Sequence, residues 1–157
     1  MLLSDSNVSA EIPVFVYGTL REGEINDIAR AAERHGLPRP LCLGAAAIGG
    51  RLFDFGSYPG LLLPQAGAHA VEPGDTPVVG DVFRIAPALL QVLDAIEGIR
   101  ADGRDIFYRA QCLVDVAGTP LTCQVYPVDP AATQGRPSIT GGDWIGYRLA
   151  RDGVQSV

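Results

Sequence analysis

The sequence predicts an α+β protein with a small, largely antiparallel, barrel-like sheet and two main helices. Short apolar segments bounded by Gly and Pro recur through most of the chain, which is typical of strands joined by tight connections. Only two segments repeat their apolar residues with a helical period and also have recognisable helix ends. Hydrophobic residues make up 47% of the 157 residues and charged residues 19%, enough to bury the core of one domain.

The first predicted elements are a strand, a glycine turn and a helix. Residues 13–17 form a continuous apolar run, as expected of a buried strand, and a turn over residues 18–23 follows it directly. The segment Ile25–His35 has a helical pattern, and Gly36 is placed to end that helix.

The middle of the chain is predicted to supply most of the sheet. Its β-like segments are short and are separated by Gly and Pro: Leu41–Ile48, Gly50–Phe55, Leu61–Leu63 and Val78–Ile85. Before the last of them, the polar stretch Gln65–Pro77 is expected to form a hairpin connection or an exposed loop.

A second helix is predicted from Pro87 to a C-terminal cap at Gly98. Its apolar residues have the spacing i, i+3, i+4 and i+7 and should face the core: Leu89, Val92, Leu93 and Ile96. Two further strands are predicted at Phe107–Val116 and Leu121–Val128, and residues 139–147 are expected to be a loop or a final short element. The expected boundaries are a flexible leader over 1–12, the domain over 13–149 and a tail over 150–157.

Charge and composition exclude several classes of function. The net charge of −6 argues against a nucleic-acid partner, which needs a concentrated basic face. All 12 basic residues are Arg, so neither a Schiff-base lysine nor a P-loop lysine is present. The apolar runs are far shorter than the ~20 residues that cross a bilayer, and the first residues lack the pattern of a signal peptide. We therefore expect no membrane partner and a cytoplasmic location.

No cofactor and no metal are expected from the sequence. The two His and three Cys residues are widely separated and lack the spacing of zinc ligands. A nucleophile elbow of the G-x-S-x-G type is also missing. An active site in this chain would therefore have to use carboxylates and backbone donors.

The turn Tyr17-Gly18-Thr19-Leu20 is the first candidate site. A glycine directly after a buried strand lets the backbone approach a ligand closely, and it also tolerates a positive φ. Successive N–H groups in such a turn can bind a carboxylate or an oxyanion. The alternative interpretation is a tight strand-to-helix connection without a ligand.

Glu97 is the candidate catalytic residue because of its place in the second helix. It lies beside the apolar stripe and in the last turn, where the helix dipole disfavours a negative charge. Both effects predict a pKa above the usual value of about 4.3, which suits a group that accepts and donates protons near neutral pH. The alternative is a solvated Glu at a frayed helix end. Asp94, three residues earlier, is either a partner carboxylate or a solvated, helix-stabilising neighbour.

These segments together resemble the γ-glutamylcyclotransferase family. The resemblance rests on the turn motif Tyr17–Gly23, the Leu93–Gly98 segment with Phe107-Tyr108-Arg109 after it, and further segments in a matching order. Those further segments are Gly50–Gly60 with Val79–Phe83, Gln124–Tyr126, and Gly141–Trp144. They span about residues 13–147, so nearly the whole chain is covered.

The resemblance implies a small-molecule γ-glutamyl substrate that is cyclised to 5-oxoproline with release of an amine. It places the catalytic glutamate at Glu97 and the substrate-binding turn at Tyr17, Gly18, Thr19 and Leu20. It also matches Tyr126 to a late aromatic residue that contacts substrate. For Arg109, a pair with Asp81, a pair with Asp94 and a contact with a substrate carboxylate all stay open.

The residues fit this chemistry independently, because the substrate's own α-amine is the nucleophile and only proton transfer and oxyanion donors are required. Two other hypotheses are a binding or regulatory module that keeps the pocket without turnover, and a hydrolase that uses Asp94 and Glu97 as a pair. The last is weaker because residues at i and i+3 share one side of a helix, whereas hydrolytic carboxylates flank the substrate.

Overall fold

A computed structural model provides the structure of the protein. It describes residues 11–21, 23–24, 27–56, 58–63, 76–97 and 107–152, without the side chains of Thr76 and Glu97. The predicted leader up to residue 10, most of the Gln65–Pro77 connection, the Gly98 cap and the residues after Arg151–Asp152 lie outside the described residues.

Seven strands form one mixed sheet. They are β1 (Ile12–Val16), β2 (Leu41–Asp54), β3 (Pro59–Leu62), β4 (Thr76–Ile85), β5 (Ala110–Val116), β6 (Thr119–Val125) and β7 (Ser138–Ile139). The order is β3-β2-β4-β1-β6-β5, with β7 paired to β2, and every pairing is antiparallel except that of β1 with β6. Among the described strands, β3 and β5 stay at the two ends of this order, so the sheet is barrel-like without closure.

The two faces of the sheet bury different parts of the core, because side chains alternate along a strand. On β1, Phe15 points into an interior cluster, whereas Val14 and Val16 point toward the helices. The interior cluster draws residues from most strands, including Phe15, Ile48, Val82, Val114, Val125 and Trp144. The helix-side cluster joins β1 and β4 to two helices and includes Val14, Val16, Ile28, Phe83, Leu89 and Leu93.

In the described ranges of the chain, three α-helices and one short 3₁₀ helix accompany the sheet. They are α1 (Ile28–Arg34), α2 (Pro87–Glu97), α3 (Trp144–Arg151) and the 3₁₀ helix Pro130–Thr133. The apolar stripe predicted for the second helix is confirmed, since Leu89 and Leu93 are fully buried and Val92 and Ile96 pack against them. None of the described helices is long and apolar enough to cross a membrane.

The predicted break between two strands at Gly49-Gly50 is wrong. The segment Leu41–Asp54 is one strand, whose first part pairs with β4 and whose last part pairs with β3 and β7. Gly50 serves close packing instead of a turn, because a Cβ there would lie 2.9 Å from Leu61 Cδ1 and 3.2 Å from the Leu62 carbonyl oxygen.

The final short element is a full helix, so the described chain has three α-helices and not two. Asp143 caps α3, with its Oδ1 accepting a hydrogen bond from the Ile145 N–H at 3.1 Å. The first residue of α3, Trp144, is fully buried in the interior cluster and packs at 6.1 Å from the Tyr147 ring. The helix thus attaches the end of the described chain to the sheet.

Candidate active site

Tyr17 begins the predicted substrate-binding turn and is fixed by two buried hydrogen bonds. Its hydroxyl donates to the backbone carbonyl of Tyr126 at 2.6 Å and accepts from the Leu61 N–H at 3.1 Å. Only 5% of the residue is exposed. The start of the turn is therefore joined to the end of β6 and to β3.

Gly18 is required at its position by close packing. A Cβ on Gly18 would lie 2.7 Å from Cγ and 2.9 Å from Cδ of Pro59, the first residue of β3. Contacts this short force a shift in the backbone or in the proline ring. The positive φ considered from the sequence does not occur, since Gly18 is not among the described glycines with φ above zero.

The rest of the turn is held through its carbonyl oxygens. The Gly18 carbonyl accepts from the Arg21 N–H at 3.0 Å, and the Leu20 carbonyl accepts from the Ile28 N–H at 3.0 Å. Leu20 is buried in the helix-side cluster, whereas Thr19 is partly exposed. The turn is therefore hydrogen-bonded to the first residue of α1.

Arg21 is a site-supporting residue that the sequence analysis did not recognise. Its Nε lies 3.2 Å from Asp81 Oδ2 on β4, and its NH1 lies 3.3 Å from Asp143 Oδ1 at the cap of α3. Its side chain is only 13% exposed. The sequence signal for this role is the position of Arg21, a basic residue directly after the turn. Its two partners, Asp81 and Asp143, both lie inside segments on which the family resemblance rests.

Glu97 is the last residue of α2, and its side chain lies outside what the structure describes. The raised pKa and the orientation of its carboxylate therefore stay predictions. The backbone places Glu97 one residue beyond Ile96, which packs against the helix-side cluster.

Asp94 and Tyr126 connect α2 to the turn. The Tyr126 hydroxyl donates to Asp94 Oδ1 at 2.6 Å and lies 3.4 Å from the Leu90 carbonyl oxygen. Tyr126 is 2% exposed, and its own carbonyl accepts the bond from Tyr17. The structure thus brings two of the predicted site residues, Tyr17 and Tyr126, together and links them to the helix that carries Glu97.

The structure pairs Arg109 with Asp94, whereas a contact of Arg109 with a substrate carboxylate stays a prediction. Arg109 NH1 lies 3.7 Å from Asp94 Oδ2, while Asp81 is paired with Arg21. Asp94 is therefore neither a solvated surface group nor an isolated carboxylate, since one oxygen accepts a hydroxyl and the other faces a guanidinium. No group of three His, Cys, Asp or Glu residues in the described part of the chain has the geometry of a metal site.

Comparison with known proteins identifies the family of the chain. A family model described as "Gamma-glutamyl cyclotransferase, AIG2-like" matches residues 14–146. A curated gamma-L-glutamyl-butirosin B gamma-glutamyl cyclotransferase from Niallia circulans is 33% identical over 108 residues, covering 67% of this chain and 59% of that protein. A curated gamma-glutamylaminecyclotransferase from Bos taurus is 31% identical over 131 residues, covering 78% of this chain and 69% of that protein.

Solved structures support the fold. An AIG2-like protein from Mus musculus superposes with a TM-score of 0.62 at 21% identity, covering 83% of this chain and 86% of the mouse chain. The chain spans only 59% of the length of the Niallia protein that it matches. The family model nevertheless matches residues 14–146, and the resemblance noted from the sequence is confirmed: this chain belongs to the γ-glutamyl cyclotransferase, AIG2-like family.

Proposed function

We propose that this protein cyclises a γ-glutamyl amine or peptide to 5-oxoproline and releases the free amine. The observation that carries the proposal is the bridge through Tyr126. Its carbonyl accepts from Tyr17 in the turn, and its hydroxyl donates to Asp94 in α2. This bridge joins the turn Tyr17–Leu20 to α2. The reaction needs backbone N–H donors, which the turn supplies in this proposal, and a carboxylate, which α2 supplies.

The reaction balances without water, an oxidant or a protein nucleophile. The α-amine nitrogen of the γ-glutamyl group attacks its own γ-carbonyl carbon, a C–N bond of the five-membered ring forms, and the amide C–N bond to the leaving amine breaks. One proton moves from the attacking nitrogen to the leaving nitrogen. Well-oriented intramolecular reactions have effective molarities of up to about 10⁵–10⁸ M, so orientation supplies much of the catalysis.

Glu97 is the proposed general acid and base. Its carboxylate takes the proton from the attacking α-amine and returns it to the leaving nitrogen, so one group with a pKa near the working pH serves both steps. Its position at the C-terminal end of α2 supports this assignment, because the helix dipole disfavours a negative charge there.

The turn is the proposed binding site for the γ-glutamyl head group. We assign the N–H groups of Gly18, Thr19 and Leu20 as the donors toward the ligand, because successive N–H groups in a turn directly after a buried strand can bind an anion. Such donors stabilise a substrate carboxylate or the tetrahedral oxyanion. The family resemblance implies that Tyr126 contacts the substrate; because the residue is only 2% exposed, we propose that it supports the turn through its backbone carbonyl.

The names of the relatives favour a non-peptide amine, and not an amino acid or a peptide, as the leaving group. The Niallia protein is named for γ-L-glutamyl-butirosin B and the bovine protein for γ-glutamylamine. We therefore include γ-glutamyl derivatives of primary amines as the first substrate class to test.

We also propose that the protein is located in the cytoplasm, which is a reducing compartment. Cys112 and Cys123 lie directly opposite each other on β5 and β6, and both are free. Burial raises the pKa of Cys112 to about 12, with a smaller contribution from Cys123, and burial raises the pKa of Cys123 to about 11. Two neighbouring cysteines without a disulfide between them are typical of proteins outside an oxidising compartment.

A panel of γ-glutamyl compounds tests the activity. The purified protein is incubated with γ-glutamyl amines, γ-glutamyl peptides and glutathione, and both 5-oxoproline and the free amine are measured. We expect equal amounts of the two products from at least one compound. Glu97→Gln should lower kcat by at least ~10²-fold, because the amide cannot accept the proton.

The matched control is Glu33→Gln, which makes the same change at an exposed position of α1 and should leave kcat unchanged. Glutamate in place of 5-oxoproline would identify a hydrolase. Binding of γ-glutamyl compounds without any product would favour the non-catalytic module. A Glu97→Gln variant with more than half of the wild-type rate would remove Glu97 from the mechanism.

A further inference from the structure

Tyr126 is hydrogen-bonded both to the turn and to α2. It follows directly after β6, and its carbonyl accepts the Tyr17 hydroxyl at 2.6 Å. Its own hydroxyl donates at 2.6 Å to Asp94 Oδ1. One nearly buried residue therefore sets the distance between the substrate turn and α2.

Asp94 is placed to transmit this contact to Glu97. The two residues are three positions apart in α2, so they lie on one side of the helix about one turn from each other. No basic residue lies in the last turn of α2 to interact with its carbonyl ends. The side-chain polar contacts described for Asp94 at this end of the helix come from the Tyr126 hydroxyl and from Arg109 NH1 at 3.7 Å.

An aspartate near a helix C-terminus is unfavourable by itself, because it faces the negative end of the helix dipole. At Asp94 this cost is offset by two outside partners, and a hydrogen bond to an ionised acceptor is among the stronger kinds. Helix stability therefore does not explain why a carboxylate occupies this position, whereas attachment of the last turn to β6 does.

We propose that Tyr126 and Asp94 are a positioning pair that fixes the last turn of α2 against the turn Tyr17–Leu20 and so aims the Glu97 carboxylate at the substrate. Neither residue takes or gives a proton in the reaction. The part of this inference that concerns Glu97 rests on the proposed function, whereas the attachment of the helix end does not.

Steady-state kinetics of Tyr126→Phe and Asp94→Ala test whether this pair orients Glu97 toward the substrate. We expect each variant to lower kcat for a γ-glutamyl amine by about 10- to 100-fold with KM within about 3-fold of wild type, since a misplacement of about 1 Å can cost up to ~10²-fold in rate. Asp94→Asn keeps an acceptor oxygen and should recover most of the loss. The double variant Tyr126→Phe with Asp94→Ala should be no slower than the slower single variant, because both substitutions remove the Tyr126–Asp94 hydrogen bond.

Tyr147→Phe is the matched control. The Tyr147 hydroxyl donates to Asp54 Oδ2 at 2.5 Å, so the control removes a tyrosine–aspartate hydrogen bond of the same kind between α3 and β2. Its thermal stability should fall by a similar amount while kcat stays at the wild-type value. Equal losses of kcat in Tyr126→Phe and Tyr147→Phe would reduce the effect to general destabilisation and overturn the proposal.

Amide hydrogen exchange followed by NMR tests the attachment without any turnover. Tyr126→Phe and Asp94→Ala should accelerate exchange at the amides of residues 94–97 and leave the amides of α1 unchanged, because local opening depends on local contacts. Unchanged exchange at residues 94–97 would overturn the positioning pair. A wild-type protein that makes no 5-oxoproline would overturn the proposed function and the aim of Glu97, while the exchange result would still decide the attachment.

Discussion

Gly18 has two roles: it packs closely against Pro59, and it belongs to the turn that is the proposed binding site. The Pro59 ring approaches so closely that a Cβ on Gly18 would lie 2.7 Å from Pro59 Cγ. Proline has little freedom to move away, and Pro59 is held in β3 opposite Asp54. The sequence predicted a glycine for close approach to a ligand, and the structure adds a close approach by the protein itself.

We predict that Gly18→Ala weakens both the fold and the site. The added methyl group should lower the free energy of unfolding by about 1–3 kcal/mol, the usual cost of overpacking. It should also raise KM for γ-glutamyl compounds, because relief of the clash moves the N–H groups of the turn. Urea unfolding and steady-state kinetics measure the two effects.

Gly141→Ala is the control for this change, because a Cβ there has no neighbouring atom within 4 Å. It should leave both quantities close to wild type. A Gly18→Ala protein that matches Gly141→Ala in stability and in KM would contradict the packing account and the role of the turn together.

At the scale of elements, the N-cap residue of α1 is hydrogen-bonded to Gly23, the last residue of the predicted turn over residues 18–23. Asp27 caps the helix, with Oδ1 accepting from the Ala29 N–H at 2.8 Å and Oδ2 accepting from the Gly23 N–H at 2.7 Å. Burial alone would raise the pKa of Asp27, but the hydrogen bonds from Gly23, Ala29 and Arg30 outweigh it and hold the pKa below its usual value. The helix start was predicted at Ile25, and the cap places it at Ile28 because Asp27 supplies the acceptor.

Asp27→Ala should lower the free energy of unfolding by about 0.5–2 kcal/mol at pH 7, as is usual for a lost N-cap. A pKa lowered by folding means that the ionised carboxylate stabilises the native state above the unfolded pKa, near the ordinary value of 3.8. That stabilisation is lost as the pH falls through the folded pKa. The difference between wild type and variant should therefore be constant above about pH 5 and should shrink below pH 3.8.

Chemical denaturation between pH 2 and pH 7, followed by circular dichroism, measures this difference. Asp27→Asn keeps one acceptor oxygen and should cost less than Asp27→Ala at pH 7. A difference that stays the same down to pH 2 would show that the charge of Asp27 does not stabilise the cap.

At the scale of the whole molecule, the sequence was sufficient for the fold class and for the apolar face of α2. Periodicity reports local burial, and Leu89 and Leu93 are indeed fully buried. It could not identify α3, whose eight residues include Gly146 and depend on Trp144 packing into the interior cluster. Tertiary contacts of this kind decide short helices more than propensity does.

The candidate site was predictable in its parts and not in its connections. The turn at Tyr17–Leu20 has a local pattern, and Tyr126 was reached through the family resemblance. The bond from Tyr126 to Asp94 depends on how β6 and α2 pack, so no spacing in the sequence encodes it. The pairing of Arg21 with Asp81 and Asp143 has the same origin, since all three residues come from different parts of the chain.

In the proposed mechanism, Glu97 and the turn Tyr17–Leu20 act on one γ-glutamyl group. The most direct test of this mechanism is a crystal structure of the Glu97→Gln variant with an uncleaved γ-glutamyl amine. We predict that the ligand's carboxylate or γ-carbonyl oxygen accepts from N–H groups of Gly18–Leu20, with residue 97 within about 2.6–3.2 Å of the ligand's amine or leaving nitrogen. A ligand bound at the turn with residue 97 on the opposite side of α2, or a ligand bound away from the turn, would contradict the account.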